Sequence, residues 1–342
     1  MKRLLPELTK ELYTDKESMM PTDKGTKMRG TKGRLNYEVT YRNKEAQENS
    51  ASSCTKNPGH EGFIFAENFS IESLPESFRT PKMYELCRCL INLTCMIEVF
   101  ATSKNRSASD NFKDQLGARI GSGSVYIPLK YTHKGGHCPC PECKDPKNAG
   151  REFYEVYVTT AHHVVFDNYE ARRTYVKLHF DSEDITNSTV TLPGYRIVNY
   201  NAEADRTILS CITHDIRIVE KIQKLRDSAK EFEEYFCSHP LETNPSYNLT
   251  VIVGHPHRWP KTISFGSCIQ VQSINSDESN KGTVWTEYKY NAPTCPGSSG
   301  ALVWIYGKKR VGYRDSDITT HTHCGSEDGM NKSGLGLEFK TP

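Results

Sequence analysis

Two adjacent serines in the segment NAPTCPGSSGALVW could supply a nucleophile, either Ser298 or Ser299. A glycine-flanked serine alone is typical of an ordinary turn, so a base and an orienting acid must be sought elsewhere. The strand-like segment VYVTTAHHVVF contains His162 and His163, and Asp205 precedes the apolar run in ADRTIL. Singly, a histidine at a strand end is more often structural and a surface aspartate is common. The order His, Asp, Ser, with the serine in a loop of small residues, is typical of nucleophilic acyl transfer.

These motifs resemble those of the chymotrypsin-like serine proteases over roughly residues 115–342. TTAHHVV is similar to the family's small-small-x-His element and matches His163 to the base, and ADRTIL matches Asp205 to the orienting acid. CPGSSGAL is similar to the loop Cys-x-Gly-x-Ser-Gly, which makes Ser299 the nucleophile. The resemblance implies an oxyanion hole formed by the N–H groups of Gly297 and Ser299, and hydrolysis of peptide bonds through an acyl-enzyme.

Departures from the secreted trypsins indicate a different subgroup. Ser298 occupies the position where trypsins carry an aspartate that pairs with a newly cleaved N-terminus, and Val164 replaces the cysteine after the base. The resemblance is therefore closer to glutamyl endopeptidases and the high-temperature-requirement family than to digestive trypsins. It implies that no zymogen switch is present and that activity does not need removal of the N-terminal tail.

Specificity can be predicted from two further positions. In glutamyl endopeptidases a threonine before the nucleophile and a histidine downstream bind the substrate carboxylate; Thr294 and His323 hold these positions here. The pocket-floor position is Pro293, which is not acidic, so the resemblance disfavours Lys or Arg before the scissile bond. We expect cleavage after Glu, or after Gln or Asp. The alternative is that His321 and His323 merely alternate across an edge strand.

The segment GGHCPCPEC places Cys138, Cys140 and Cys143 close together, near the spacing of metal ligands. A structural zinc would need a distant fourth ligand, such as Cys211; redox-labile pairs or plain thiols are the alternatives. No cofactor is expected to be required for catalysis. The resemblance also places Cys295 and Cys324 on either side of the specificity pocket, where they could pair in an oxidising compartment.

The elements that must position these residues are mostly short strands. From residue 117 onward, β-type segments separated by Gly, Asn, Asp and Pro predict a barrel or sandwich. The resemblance implies a mainly β fold with two packed six-stranded antiparallel barrels, at about 93–215 and 247–342. The helical period of IRIVEKIQKLRDSAKEFEEYF predicts a linking helix at about 216–236. Residues 80–342 form the predicted protease domain, which begins with a helix capped at Thr80. Residues 1–79 are predicted to be a disordered or weakly ordered extension.

Composition limits the function classes. The chain has 342 residues and a net charge of +2, which does not favour nucleic acid or an anionic membrane as a partner. No signal peptide or transmembrane segment is recognisable, so we expect an intracellular protein whose partner is a protein or peptide substrate. The alternative from another class is a catalytically inactive, protease-like module that binds peptides in the same cleft.

Overall fold

The computed structural model describes residues 35–42, 51–107, 110, 112, 117–129, 138–148, 150–183, 189–239, 248–274, 282–308 and 320–339. Three short strands come first: β1 (Asn36–Tyr37), β2 (Thr40–Tyr41) and β3 (Ile64–Phe65). The first large sheet adds β4 (Thr94–Val99), β5 (Arg119–Leu129), β6 (Tyr154–Thr160), β7 (Thr174–Leu178), β8 (Val190–Asn201) and β9 (Arg206–Thr213). The second adds β10 (Leu249–Gly254), β11 (Thr262–Ile274), β12 (Thr283–Tyr290), β13 (Val303–Ile305), β14 (His323–Glu327), β15 (Met330–Ser333) and β16 (Gly336–Phe339). The helices are α1 (Pro81–Leu93), α2 (Asn168–Ala171) and α3 (Ile216–Ser238).

The first sheet closes into a six-stranded antiparallel barrel. Its order is β5-β4-β7-β8-β9-β6, and β6 pairs back with β5. Valine, isoleucine and threonine dominate these strands, because β-branched side chains suit a pleated surface with one face buried. The inward side chains, such as Val156, Val158 and Val176, form one core cluster.

The second sheet curls into a half-barrel whose ends meet. Strands β10 to β15 are paired antiparallel in the order β14-β15-β12-β11-β10-β13. An isolated bridge joins Leu302 to Thr322, and the amide of His323 donates to the carbonyl of Ala301 at 2.7 Å. The predicted architecture, mainly β with two barrel-like units, is therefore confirmed.

Helix α3 links the two sheets, as the helical period predicts. Asp215 caps its first turn by accepting from the Arg217 amide at 2.9 Å. Val219 and Ala229 pack into the core of the first barrel, whereas Phe236 packs with α1 against one face of the second sheet. The helix therefore fixes one barrel against the other, and with them the cleft between the barrels. Among the described residues, no helix is both long enough and apolar enough to cross a membrane.

The predicted weakly ordered extension differs from the structure over residues 51–79. Phe69, Leu74 and Phe78 are buried and pack with α1 against one face of the second sheet. These side chains follow no helical or strand period, because they belong to single turns of 3-10 helix, so the sequence pattern does not show them. Residues 1–34 and 43–50 of the predicted extension lie outside the described residues.

Candidate active site

His163 and Asp205 meet at the rim of the first barrel. Asp205 is the last residue of the turn before β9 and has a left-handed backbone (φ 48°), and its Oδ2 lies 2.7 Å from Nδ1 of His163. Its other oxygen accepts the His163 amide at 3.0 Å, so the carboxylate fixes both the ring and its loop. Burial alone would raise the pKa of Asp205, but the contact with His163 outweighs this and holds the pKa below its usual range.

The neighbouring His162 points elsewhere. Its Nδ1 lies 2.9 Å from the Thr207 hydroxyl, and its ring stacks on Tyr200. Burial lowers the pKa of His162 to about 4, so the ring is neutral at pH 7. Of the two histidines, His163 is the one that the structure brings to the carboxylate.

A buried ion network holds the loop that carries His163. Glu170 lies at its centre and pairs with Arg106 at 2.7 Å and with Arg119 at 2.6 Å, and all three side chains are buried. Arg106 also donates to the His163 carbonyl at 3.0 Å, and Arg119 to the Val164 carbonyl at 3.0 Å. No motif marks these residues in the sequence, because they are separated by up to 64 positions.

The serine loop depends on glycine conformations. Gly297 has φ 108°, and a Cβ at this position would collide with the carbonyl of His255. The amide of Ser122, in the glycine-rich β5, donates to the Ser299 carbonyl at 2.7 Å and so docks the loop on the first barrel. Ser298 is turned into the loop, where its hydroxyl accepts the Cys295 amide at 3.2 Å.

The side chain of Ser299 lies in the cleft but is not hydrogen-bonded to His163. Its Oγ donates to the Cys324 carbonyl at 3.0 Å and accepts the Glu38 amide at 2.9 Å. Within the described part of the chain, Nε2 of His163 has no hydrogen-bond partner. A rotation of the Ser299 side chain about Cα–Cβ is needed before the hydroxyl can give its proton to the ring.

The chain's own residues 36–41 run through the cleft as an extended peptide. β1 pairs with β14 of the second barrel and β2 pairs with β5 of the first, both antiparallel. Between them, the carbonyl oxygen of Glu38 accepts the amides of Gly297 at 2.7 Å and Ser299 at 3.1 Å. The predicted oxyanion donors therefore converge on one peptide carbonyl. The resemblance implies that activity does not need removal of the N-terminal tail. In the structure this segment fills the cleft, so another peptide can enter only after the segment leaves.

The Glu38 side chain fills a buried pocket beside the serine loop. Its carboxylate lies 3.0 Å from Nε2 of His323 and also contacts the Lys56 ammonium, which in turn donates to the Thr294 hydroxyl at 2.6 Å. Tyr290 lies behind the imidazole, with its hydroxyl 2.6 Å from Nδ1 of His323. The structure thus brings together the two predicted pocket residues, and it adds Lys56 and Tyr290, which sequence reasoning missed.

The alternative prediction is that His321 and His323 merely alternate across an edge strand, and the structure does not support it. His321 and His323 are both fully buried, and β14 is flanked by β1 and β15. His321 bonds to Thr286 through Nε2 at 2.9 Å, away from the pocket.

The cysteine-rich segment forms a cluster at the far side of the first barrel. The sulfur atoms of Cys138, Cys140 and Cys143 lie 3.5, 3.4 and 3.4 Å from Nε2 of His214. A tetrahedral zinc with ordinary Zn–S and Zn–N bonds separates such atoms by about 3.6 Å, so the residues fit this ion. The Nδ1 of His214 lies 2.6 Å from the carbonyl of Glu152, which fixes the proton on Nδ1 and leaves Nε2 free to bind a metal.

The other cysteine expectations are changed by the structure. Cys211, considered as a fourth ligand, is buried inside the first barrel core, and His214 takes the position instead. Cys295 and Cys324 are free thiols, and the sulfur nearest to Cys295 belongs to Cys54, at 3.6 Å.

Comparisons with known proteins give a structural likeness only. No family model and no curated protein matches the chain. Among solved structures, the active form of the Rv3671c protease from M. tuberculosis is similar at 13% identity, with a TM-score of 0.39 over 78% of this chain and 82% of that one. The HtrA-type protease AlgW with a tripeptide is similar at 13% identity, with a TM-score of 0.34 over 75% of this chain and 59% of that one. Likeness at this level does not assign a family, so the function is argued from the geometry of the site.

Proposed function

We propose that the chain is a serine endopeptidase that cleaves peptide bonds after glutamate, with Ser299 as nucleophile, His163 as base and Asp205 as its orienting acid. The observation that carries this proposal is the position of Glu38. Its carbonyl oxygen rests on the amides of Gly297 and Ser299, and its side chain ends against His323. A peptide in this position presents its carbonyl carbon to the serine loop with the oxygen already held by two donors.

The reaction follows from these positions. Once its side chain has turned toward the imidazole, the Ser299 hydroxyl attacks the carbonyl carbon and Nε2 of His163 takes its proton. Asp205 keeps the other ring proton on Nδ1 and stabilises the imidazolium, while the two loop amides hold the negative oxygen. His163 then protonates the leaving amine, and a water molecule hydrolyses the acyl-enzyme by the reverse sequence.

The pocket favours a carboxylate through hydrogen-bond chemistry. Burial lowers the pKa of His323 well below its ordinary value, so its ring is neutral. In the structure, Nε2 of His323 and a Glu38 carboxylate oxygen lie 3.0 Å apart but are not aligned as a hydrogen bond. Because a carboxylate can only accept hydrogen bonds, we propose that the ring proton lies on Nε2 and that a small rotation aligns it with the carboxylate. Nδ1 is then an acceptor, and the Tyr290 hydroxyl donates to it; burial raises the pKa of that hydroxyl well above its ordinary value, so it keeps its proton. Burial lowers the pKa of Lys56 to about 7. A carboxylate in contact with its amine, as that of Glu38 is, favours the charged form.

The test combines a covalent probe with a peptide series. A fluorophosphonate should label the wild type and the Ser298→Ala variant but not Ser299→Ala, which should lose about 10⁶-fold in turnover. Peptides that vary only at the residue before the scissile bond should be cleaved best when it is Glu. A chain that is not labelled and cleaves none of the peptides would support the peptide-binding module instead. A preference for basic or large apolar residues would refute the assignment of the pocket.

We propose in addition that Cys138, Cys140, Cys143 and His214 hold a structural zinc. The ion would tie the segment before β6 to the end of β9, and it would contribute to folding rather than to the reaction. The zinc content of the purified chain, measured by mass spectrometry of the metal, should fall by about one ion per chain in Cys140→Ser. An unchanged content would refute this site.

A further inference from the structure

The peptide bond between Glu38 and Val39 occupies the position of a scissile bond beside Ser299. The carbonyl of Glu38 is the group held by the two loop amides, and its side chain is only 3% exposed in the pocket. We infer that the chain cleaves itself between Glu38 and Val39. This inference rests on the proposed function and names the enzyme's first substrate as its own N-terminal segment.

The register on both sides of the bond supports this inference. Before the bond, Asn36 is paired with Ser326 and Tyr37 with Gly325, so the segment is an added strand on the second barrel. After the bond, Thr40 and Tyr41 are paired with β5 of the first barrel. A side chain at Gly325 would collide with the carbonyl of Asn36, so this glycine allows the close approach of the peptide. The cleft thus grips about three residues on either side of one bond, as an extended peptide substrate requires.

The aromatic neighbour of the base belongs to the same segment. The Tyr37 ring lies 4.1 Å from the His163 ring, centre to centre, and the Phe112 ring lies 5.8 Å from it. Tyr37 and Phe112 are 5.7 Å apart, so the two aromatic rings form one cluster beside the imidazole. These rings shield the imidazole from water and fix its orientation. Because the segment is covalently part of the chain, its effective concentration at the site far exceeds that of any free peptide.

Self-cleavage exchanges one bond for another in each of its two stages. The Ser299 Oγ forms an ester bond to the carbonyl carbon of Glu38, and the bond from that carbon to the Val39 nitrogen breaks. The nitrogen leaves as an amine with the proton that His163 took from the serine. Water then supplies its oxygen to the Glu38 carboxylate and restores the hydroxyl. The products are residues 1–38 and a chain that begins at Val39, which retains Lys56 in the pocket.

The experiment follows the full chain after purification. Intact mass and N-terminal sequencing should show conversion of the wild type to a chain beginning at Val39, with a rate constant that does not change when the protein is diluted about 100-fold, since the reaction is intramolecular. Ser299→Ala should remain intact, and Glu38→Ala should not be cut at this bond. Glu67→Ala, an exposed glutamate outside the cleft, is the matched control and should be cut like the wild type.

The outcomes separate this inference from the proposed function. A wild-type chain that cleaves peptides after glutamate but stays intact, or is cut only at other bonds, would overturn self-cleavage and leave the proposed function standing. A chain that cleaves neither itself nor the peptides would overturn both. Cleavage of Ser299→Ala at the same bond would assign the cut to another protease and would also overturn the inference.

A second cluster carries an independent inference. The ligand atoms of Cys54, His60, His257 and Cys295 all lie within 4.8 Å of one another. The two sulfur atoms are 3.6 Å apart and the two Nε2 atoms 3.0 Å apart. A tetrahedral zinc with two thiolates and two imidazoles gives separations of about 3.8 and 3.4 Å. We propose that these four residues bind a zinc ion that fastens the N-terminal segment to the nucleophile loop.

The surroundings suit a structural site. Cys295 and His257 are buried, whereas Cys54 and His60 are half-buried. The rings of Phe63 and Trp259 lie beside His60. Two thiolates neutralise the charge of the ion, which removes the cost of burying it. The sulfur atoms are too far apart for a disulfide, whose S–S bond is about 2.05 Å. Because Lys56 lies between two of the ligands in the chain, the metal would hold this lysine in the pocket.

Zinc analysis tests this site without any activity assay. The purified full chain should hold about one zinc more than Cys54→Ser or His60→Ala, and Cys237→Ser, a partly buried cysteine outside both clusters, should match the wild type. Cobalt added to the metal-free wild type should give the visible bands of a tetrahedral thiolate site, and His60→Ala should lose part of them. Equal zinc content in wild type and both variants, or a Cys54–Cys295 disulfide in peptide mapping, would overturn the proposal.

Discussion

Replacing Tyr290 by phenylalanine should weaken the selection of glutamate over glutamine. The Tyr290 hydroxyl lies 2.6 Å from Nδ1 of His323. In the proposed arrangement it donates to Nδ1 and so keeps the ring proton on Nε2. Without this donor the proton can move to Nδ1, and Nε2 then presents a lone pair to the carboxylate. Tyr290 is a positioning residue, and its removal should act on carboxylate recognition rather than on the chemical step.

The size of the effect follows from burial. Tyr290 and His323 are both fully buried, so water does not replace the lost donor. An unsatisfied group of this kind costs about 1–3 kcal/mol, which corresponds to about a 5- to 150-fold loss in kcat/KM for a peptide with Glu before the scissile bond. The amide of glutamine offers both a donor and an acceptor, so it can pair with either form of the ring. In Tyr290→Phe, the kcat/KM for the peptide with Gln should therefore fall less than that for the peptide with Glu.

The assay compares two peptides that differ only in Glu or Gln before the cleaved bond. Tyr288→Phe is the matched control, because Tyr288 lies on the same strand, β12, but donates to Glu338 outside the pocket. It should keep the wild-type ratio of the two kcat/KM values. An unchanged ratio in Tyr290→Phe, or an equal loss for both peptides, would refute the proposed proton arrangement.

Three further predictions concern the loops and the stability of the fold. Glu170→Gln should lower the free energy of unfolding by about 3–5 kcal/mol, because two buried arginines lose their carboxylate partner. Urea unfolding measures this free energy, and a decrease of less than about 1 kcal/mol would contradict the prediction. Gly297→Ala should lower kcat by about 10²–10³-fold, because a Cβ against the His255 carbonyl moves an oxyanion donor, and normal kcat would exclude that donor. Burial raises the pKa of Glu338 from 4.5 to about 7, so the protonated form stabilises the fold at low pH and this contribution is lost as pH rises through about 7. Between about pH 4.5 and 8 the free energy of unfolding of the wild type should fall by about 3 kcal/mol more than that of Glu338→Gln. Urea unfolding at several pH values measures both, and an equal pH dependence of the two proteins would contradict the prediction.

The sequence predicts those elements that are marked by a short motif or by a periodic pattern of consecutive residues. His163 and Ser299 stand in short motifs, and α3 has an uninterrupted helical period, so each is recognisable from fewer than about 25 consecutive residues. The distances between these motifs cannot be read in the same way, but the two-barrel fold implied by the resemblance brings His163 to Asp205. The hydrogen bond between Ser299 and His163 is absent here, because the segment in the cleft and the Cys324 carbonyl engage the hydroxyl.

Sequence reasoning misses contacts between residues that are far apart in the chain and belong to no periodic pattern. His214 joins the cysteine cluster from 71 to 76 residues away, and Lys56 reaches Thr294 across 238 residues. No local pattern distinguishes Lys56 from the other lysines of the polar N-terminal region. Such contacts depend on how the loops between strands are folded back, which periodicity does not encode.

The N-terminal region therefore has two opposite effects on one site. Residues 36–41 fill the cleft, whereas Lys56, about 15 residues later, supplies the positive charge of the pocket. A cut after Glu38 would separate these effects, because it would release the strand on β14 and leave Lys56 attached to the part that begins at Val39. The Glu38 carboxylate contacts both Lys56 and His323, so the same contacts that recognise this residue would be vacated for the next acidic side chain. One short stretch of the chain thus supplies both the first occupant of the pocket and the lysine that lines it. This is why the specificity of the proposed enzyme can be inferred from the structure of the uncut protein.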